Sequence, residues 1–226
     1  MHADDFDAAI VDLDGTMVDT LGDFELALTA ALGERGLPPV PRAFIARTVG
    51  KGSRHLLAEV LRHLGRDPGD AEALDALWEA YQRHYLAVNG QASVVFPGVV
   101  EGLAAMRAAG WRLACLTNKP GAFARPLLAA KGLDLHFEHV FGGDAFARTK
   151  PDPLPLIETC RALGTVPART LMVGDSSNDA RAARAAGCPV VLVRYGYNHG
   201  EPPEAAGADA LVDRLDAILD SSSRVS

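Results

Sequence analysis

The sequence AAIVDLDGT, at residues 8–16, places a short apolar run directly before two aspartates, a glycine and a threonine. An apolar run of this length that ends in turn residues predicts a buried strand opening into a loop. Similar runs predict further strands at residues 111–117, 139–141, 170–173, 189–193 and 209–212. Helical patterns separate most of these runs, and such alternation predicts a parallel sheet with helices on both faces. The fold class that follows is α/β, with a doubly wound, Rossmann-like parallel sheet.

Residues 21–88 interrupt this alternation, because they show helical periodicity and no convincing strand pattern. Leucine and aromatic side chains recur there at helical spacing, which is typical of the packing faces of a small helical core. Proline and glycine then punctuate the chain at residues 96–98. We therefore expect a core domain made of residues 1–18 and 96–226, with an all-helical cap domain at residues 19–95 inserted after the first strand.

The composition excludes several classes of protein. The chain has 226 residues, of which 48% are hydrophobic and 23% charged, as in a water-soluble globular protein. A formal net charge of -7 disfavours a nucleic-acid partner and an anionic membrane surface, since both are polyanionic. Residues 1–7 lack the features of a signal peptide, and the cysteines show no C-x-x-C spacing. We expect a cytoplasmic protein, and the sequence leaves both a monomer and a homodimer open.

Two carboxylates stand at the predicted end of the first strand, Asp12 and Asp14. Residues two apart on a strand share a face, and the carboxyl edge of an open parallel sheet is where ligands bind. A second acidic cluster, VGDSSND at residues 173–179, contains Asp175 and Asp179 and follows another strand. Either cluster alone is also typical of a turn or a helix N-cap. Together they indicate a metal site or a shared acid–base role, and their all-oxygen donors favour Mg²⁺ over zinc.

Polar side chains mark two further junctions between strands and helices. Thr117 and Asn118 end the strand predicted at residues 111–117, and Lys150 precedes a helix within a proline-bounded loop. A lysine at such a junction can neutralise an anion that is held near the carboxylates. A solvated surface lysine is the ordinary alternative.

The order of these motifs resembles the haloacid dehalogenase superfamily of phosphotransferases, including members with a helical cap. The motifs that carry the resemblance are DLDGT at residues 12–16, TN at 117–118, KP at 150–151 and GDSSND at 174–179. The stretches LTNKP at 116–120 and YGYNHGE at 195–201 are similar to those of bacterial phosphoglycolate phosphatases in particular. Met17 departs from the leucine usual in the family, and we expect this swap of similar volume to be harmless.

The resemblance implies a role for each of these residues. Asp12 would attack phosphorus and form an aspartyl-phosphate, and Asp14 would act as general acid and then as general base. Magnesium would be held by Asp12, the backbone carbonyl of Asp14, and Asp175. Asp179 would orient Lys150 or a water on the metal. The groups implied to hold the phosphoryl oxygens are Thr117, Asn118 and Lys150.

Substrate specificity is expected to reside in the cap. Residues 42–66 are strongly basic, and GKGS at residues 50–53 combines two glycines with a lysine. Glycines let a backbone approach a ligand closely, although the spacing does not match a P-loop. We expect this loop to face the catalytic site, with Lys51 or Arg54 available for a substrate carboxylate.

The resemblance thus implies a magnesium-dependent phosphatase that acts on a small-molecule phosphate ester, hydrolysing 2-phosphoglycolate to glycolate and phosphate. A phosphatase of another small sugar phosphate is the nearest alternative, and a phosphomutase is a more distant one. A dehalogenase would leave the magnesium ligands idle. A phospho-aspartate signalling receiver would lack the long helical insertion and would not need the cluster at residues 174–179.

Overall fold

Strands and helices alternate along most of the molecule. The computed structural model describes residues 3–220, so that residues 1–2 and 221–226 of the predicted core domain lie outside the described part. The strands are β1 (Ala8–Val11), β2 (Val18–Asp19), β3 (Val94–Val95), β4 (Arg112–Leu116), β5 (His139–Phe141), β6 (Thr170–Gly174), β7 (Val190–Val193) and β8 (Ala210–Val212). The helices are α1 (Leu21–Glu34), α2 (Arg42–Thr48), α3 (Ser53–His63), α4 (Ala71–Val88), α5 (Val99–Ala108), α6 (Gly121–Ala130), α7 (Leu154–Ala162), α8 (Ser177–Ala186) and α9 (Ala217–Asp220).

A six-stranded sheet has the order β5-β4-β1-β6-β7-β8, and each neighbouring pair runs parallel. The chain leaves β1 towards β4 and β5 on one side and later fills the other side with β6, β7 and β8. The order therefore reverses at β1, and ligands of open α/β sheets bind beyond the carboxyl ends of the strands at such a point. The predicted doubly wound parallel sheet is confirmed.

Both faces of the sheet are buried, which explains why its strands are continuous apolar runs rather than alternating ones. All four residues of β1 are fully buried. Ala9 and Val11 face a cluster with residues of α5 and α6, while Ala8 and Ile10 face a cluster with residues of α7 and α8. These two layers hold β1 rigidly and fix the position of the residues that follow it.

The helices α1 to α4 form a unit with an apolar cluster of its own, which includes Leu28, Leu57 and Tyr81. Phe123 of α6 also belongs to that cluster, so the helical unit packs against the sheet-containing part of the chain. Where the unit begins and ends, β2 and β3 pair as a short antiparallel ribbon, with Val18 opposite Val95. The helical content predicted for residues 21–88 is confirmed, whereas this ribbon was not predicted.

None of the helices found within residues 3–220 combines the length and the apolar character that crossing a membrane requires.

Candidate active site

Three carboxylates meet at the carboxyl edge of the sheet. Asp12 follows β1, Asp175 follows β6, and Asp179 lies in the first turn of α8. Because β1 and β6 are parallel neighbours, their ends meet, and one oxygen from each of the three side chains lies within 4.8 Å of the others. All three residues are buried. The predicted pairing of the two acidic motifs in space is thus present in the structure.

Lys150 is the cation of this cluster. Its Nζ lies 2.9 Å from Asp12 Oδ1, and it donates to Asp179 Oδ1 at 2.7 Å and to the Leu116 carbonyl at 2.9 Å. Three oxygens therefore lie within 2.9 Å of the ammonium, two of which accept hydrogen bonds from it. The side chain of Lys150 is only 1% exposed, and it is therefore fixed between the two carboxylates.

Burial sets the electrostatics of these groups. It raises the pKa of Asp12 to about 7, and the Asp179 charge adds to this rise while Lys150 opposes it. Burial, followed by the charges of Asp179 and Asp12, likewise raises the pKa of Asp175 well above its usual range. Burial by itself would lower the pKa of Lys150, but the charges of Asp12 and Asp179 outweigh it and raise that pKa.

The donor set fits a divalent cation. Asp12, Asp175 and Asp179 are accompanied by one ammonium within the cluster, so the buried negative charge exceeds the positive charge. Carboxylate oxygens are the donors that hard cations such as Mg²⁺ prefer, and buried carboxylates ionise readily only beside positive charge. The residues present are therefore suited to hold a divalent ion.

The backbone packs closely against Asp175 at two glycines. A Cβ at Gly15, which has a φ of +83°, would lie 2.4 Å from Asp175 Oδ2, and a Cβ at Gly196 would lie 2.1 Å from Asp175 Cβ. Tyr197 also donates its backbone N–H to Asp175 Oδ2 at 2.7 Å. The segment at residues 195–201 thus packs directly on a candidate metal ligand.

Asp14 has a different environment. Its Oδ1 accepts hydrogen bonds from Thr20 Oγ1 at 2.7 Å and from Lys119 Nζ at 2.9 Å, and Oδ2 lies 3.2 Å from the same Nζ. Lys119 is 5% exposed, and its Nζ lies 4.6 Å from the ring centroids of both Phe24 and Tyr85. The carboxylate of Asp14 is thus held by a hydroxyl and a buried ammonium.

Lys119 is the site residue that the sequence analysis missed. A signal was present in the sequence, because Lys119 stands three residues after the end of β4, just as Asp14 stands three residues after the end of β1. Because β1 and β4 are parallel neighbours, with Val11 opposite Cys115, the loops that follow the two strands begin at the same edge of the sheet.

Thr117, which is buried, and Asn118, which is half-buried, lie in the loop after β4 and make different contacts. Asn118 Oδ1 accepts from the Lys150 backbone N–H at 3.0 Å, and its Nδ2 donates to the Lys150 carbonyl at 2.8 Å and to the Gly50 carbonyl at 2.9 Å. The side chain therefore positions Lys150 and also binds the loop between α2 and α3. Thr117 Oγ1 accepts from the Lys119 N–H at 3.2 Å. The phosphate contacts expected of Thr117 and Asn118 stay predictions.

A cleft lies between the helical unit and the sheet edge, with an empty volume of about 470 Å³ that includes its open mouth. Asp12 and Asp14 form its floor, and residues of α1 and α3 form the opposite wall. Lys51 and Arg54 do not line this cleft. Lys51 is exposed, and Arg54 pairs with Asp75 at 2.7 Å and lies over the Trp78 ring. The structure thus brings the predicted core residues together, but not these two cap residues.

Comparisons with known proteins agree with this geometry. A family model of haloacid dehalogenase-like hydrolases matches residues 6–187. The chain is 47% identical over 93% of its length to the plasmid-encoded phosphoglycolate phosphatase of Cupriavidus necator, covering 90% of that protein. It is 42% identical over 92% of its length to the phosphoglycolate phosphatase of Thiobacillus denitrificans, covering 92% of it. A crystal structure described as a predicted phosphoglycolate phosphatase from Haemophilus somnus matches with a TM-score of 0.90 and 32% identity, covering 96% of this chain and 98% of that one. The chain belongs to the haloacid dehalogenase-like hydrolase family.

Proposed function

We propose that this chain is a magnesium-dependent phosphatase that hydrolyses phosphoglycolate to glycolate and phosphate. The observation that carries phosphoryl transfer is the buried cluster of Asp12, Asp175 and Asp179 around Lys150 at the reversal point of the sheet. The choice of phosphoglycolate is supported by relatives of that name, at up to 47% identity over nearly the whole chain.

Asp12 is the proposed nucleophile. Lys150 lies against its Oδ1, and one carboxylate oxygen of Asp12 would attack phosphorus. We infer that the cation is Mg²⁺, held by Asp12, Asp175 and the backbone carbonyl of Asp14. A bound Mg²⁺ supplies the positive charge that lets an anionic carboxylate approach an anionic phosphoryl group. Attack by Asp12 expels the glycolate oxygen and forms an aspartyl-phosphate.

Asp14 is the proposed proton carrier. It gives a proton to the departing glycolate oxygen and then takes one from the water that attacks the aspartyl-phosphate. Thr20 and Lys119 fix its carboxylate at the floor of the cleft, which favours transfer along one direction. Lys150, Thr117 and Asn118 are the groups proposed to hold the phosphoryl oxygens, and Asp179 is proposed to orient Lys150, which donates to its Oδ1 at 2.7 Å.

We also propose that residues 19–95 act as a cap domain over a core of residues 1–18 and 96–226. The hydrogen bond from Asn118 of the core to the Gly50 carbonyl of the cap, at the cleft between them, supports this proposal. A cap in this position excludes water from the reacting groups. A cytoplasmic location is proposed as well, supported by free, buried cysteines at 115, 160 and 188.

Phosphate release from phosphoglycolate tests the function. Wild-type protein and the Asp12→Asn variant, purified in the same way, are assayed with Mg²⁺ and with excess chelator. We expect release by wild type with Mg²⁺ only, and essentially none by the variant. Equal release by the two proteins would show that the activity does not arise at Asp12, and no release by wild type would refute the proposed substrate.

A further inference from the structure

The lining of the cleft makes an unpaired charge unfavourable there. Besides the polar floor, its lining includes the apolar or aromatic side chains of Phe24, Leu56, Tyr81 and Phe123. A carboxylate taken out of water against such side chains is strongly unfavourable unless a cation or hydrogen-bond donors accept it. A substrate that carries a carboxylate at its far end therefore needs a cation within the cleft.

Lys119 is the basic side chain among the described residues that line the cleft. Its ammonium makes contacts of 2.9 and 3.2 Å to the two oxygens of Asp14, and its other neighbours at the tip are the rings of Phe24 and Tyr85. An ammonium has three N–H donors, so at least one of them has no oxygen acceptor among the described residues. Lys119 is thus a buried cation with bonding capacity left for a second anion.

Lys150 shows in the same protein that one buried ammonium can serve two carboxylates. Its Nζ lies 2.9 Å from Asp12 and 2.7 Å from Asp179. Unlike Lys119, it also donates to the Leu116 carbonyl, at the phosphoryl end of the site. Lys119 pairs with one carboxylate among the described residues, that of Asp14.

The basic residues of the cap are less suited to this task. Arg54 pairs with Asp75 at 2.7 Å, both side chains are more than half exposed, and its guanidinium lies over Trp78. Lys51 is exposed to solvent. Solvent screens exposed charges, so a carboxylate gains less from them than from an ammonium inside the cleft.

We propose that Lys119 binds the carboxylate of the substrate, so that its ammonium bridges Asp14 and that carboxylate and selects phosphoglycolate from neutral phosphate esters. This inference rests on the proposed function and adds to it the residue that determines specificity. It assigns Lys119 a contact with the part of the substrate that does not react.

The test compares two esters of equal size, phosphoglycolate and phosphoglycolamide, in which an uncharged amide replaces the carboxylate. The quantity measured is the ratio of kcat/KM for the two esters, in wild type and in Lys119→Met. Lys131→Met is the matched control, because it removes a lysine that donates to the carbonyls of Gly90 and Ser93 outside the cleft. Lys51→Met and Arg54→Met test the cap residues directly.

We expect Lys119→Met to lower the ratio by about 30-fold, which is the order of a charge-assisted hydrogen bond in a buried site. The Lys131, Lys51 and Arg54 variants should keep the ratio within about threefold of wild type. An equal loss for both esters in Lys119→Met would overturn the proposal and leave Lys119 as a positioning residue for Asp14. A fall in the ratio for a cap variant, with Lys119→Met unchanged, would overturn it too.

A binding measurement separates recognition from chemistry where Lys119→Met turns over too slowly. In an Asp12→Asn background, calorimetry gives the dissociation constants of both esters with and without Lys119→Met. The proposal requires a loss confined to phosphoglycolate, and a loss shared by both esters contradicts it. A wild-type enzyme that hydrolyses neither ester would refute the proposed function itself, whereas a wild-type preference that survives Lys119→Met would refute this inference alone.

Discussion

Replacing Lys150 by methionine removes the ammonium from the buried cluster while keeping a side chain of similar length. Asp12, Asp179 and the Leu116 carbonyl then lose a donor that lies 2.7 to 2.9 Å away. Removing one partner of a buried ion pair costs about 3–5 kcal/mol, because the remaining charge stays buried. Burial already raises the pKa of Asp12 to about 7, so uptake of a proton limits the cost near neutral pH. We expect a loss of about 3 kcal/mol in the free energy of unfolding at pH 7.

The loss should depend on pH with a defined sign. Without the ammonium, the folded state holds its carboxyl protons to higher pH than the unfolded state does. The folded variant then binds more protons, and its stability falls as the pH rises. Urea unfolding of the metal-free proteins, followed by circular dichroism at about pH 5 and pH 8, measures both effects. Lys131→Met is the control, since its ammonium donates to carbonyls and its loss should not change with pH in this range. A Lys150→Met variant within about 1 kcal/mol of wild type at both values would refute this electrostatic reasoning.

Three further predictions follow from the same site. Asp12→Asn should lower kcat by several orders of magnitude with the fold retained, and residual activity within about tenfold of wild type would contradict its role as nucleophile. The melting temperature of the metal-free wild type should fall from about pH 4 to pH 7, because the folded pKa of Asp12 lies above its ordinary value, and Asp12→Asn should flatten this fall. Gly196→Ala should displace Asp175 and so raise the Mg²⁺ concentration needed for half-maximal activity by about tenfold or more. Gly33→Ala is the control, because a Cβ added there would have no atom within 4 Å, and equal metal requirements in the two variants would contradict the prediction.

Much of the sheet could be predicted from the sequence, because strands buried on both faces are unbroken apolar runs. The strand predicted at residues 139–141 matches β5. The apolar run that begins at Ala8 continues to Leu13, but the strand itself, β1, ends at Val11. Beyond Val11 the chain stays buried but leaves the ladder, and burial alone does not distinguish a strand from the loop after it. The ribbon of β2 and β3 has two residues in each strand, which is too short for any periodicity to show.

The arrangement of the core motifs could also be predicted, because the carboxyl ends of neighbouring parallel strands meet at one edge of the sheet. The cap contacts were not, because they depend on partners that are distant in the sequence. Local charge favoured Arg54 as a ligand for the substrate, but its partner is Asp75, 21 residues away. The direction of the Lys119 side chain likewise depends on Phe24 and Tyr85, which the fold of the helical unit brings to it.

The central claim is that this haloacid dehalogenase-like hydrolase acts on phosphoglycolate. Its most direct test is the value of kcat/KM for phosphoglycolate beside those for a panel of small sugar phosphates and glycerol phosphate, at saturating Mg²⁺. The account predicts that kcat/KM for phosphoglycolate exceeds that for every ester with an uncharged tail by about tenfold or more, because a buried ammonium in the cleft donates to its carboxylate. A sugar phosphate that is hydrolysed as efficiently as phosphoglycolate, or more so, would contradict it.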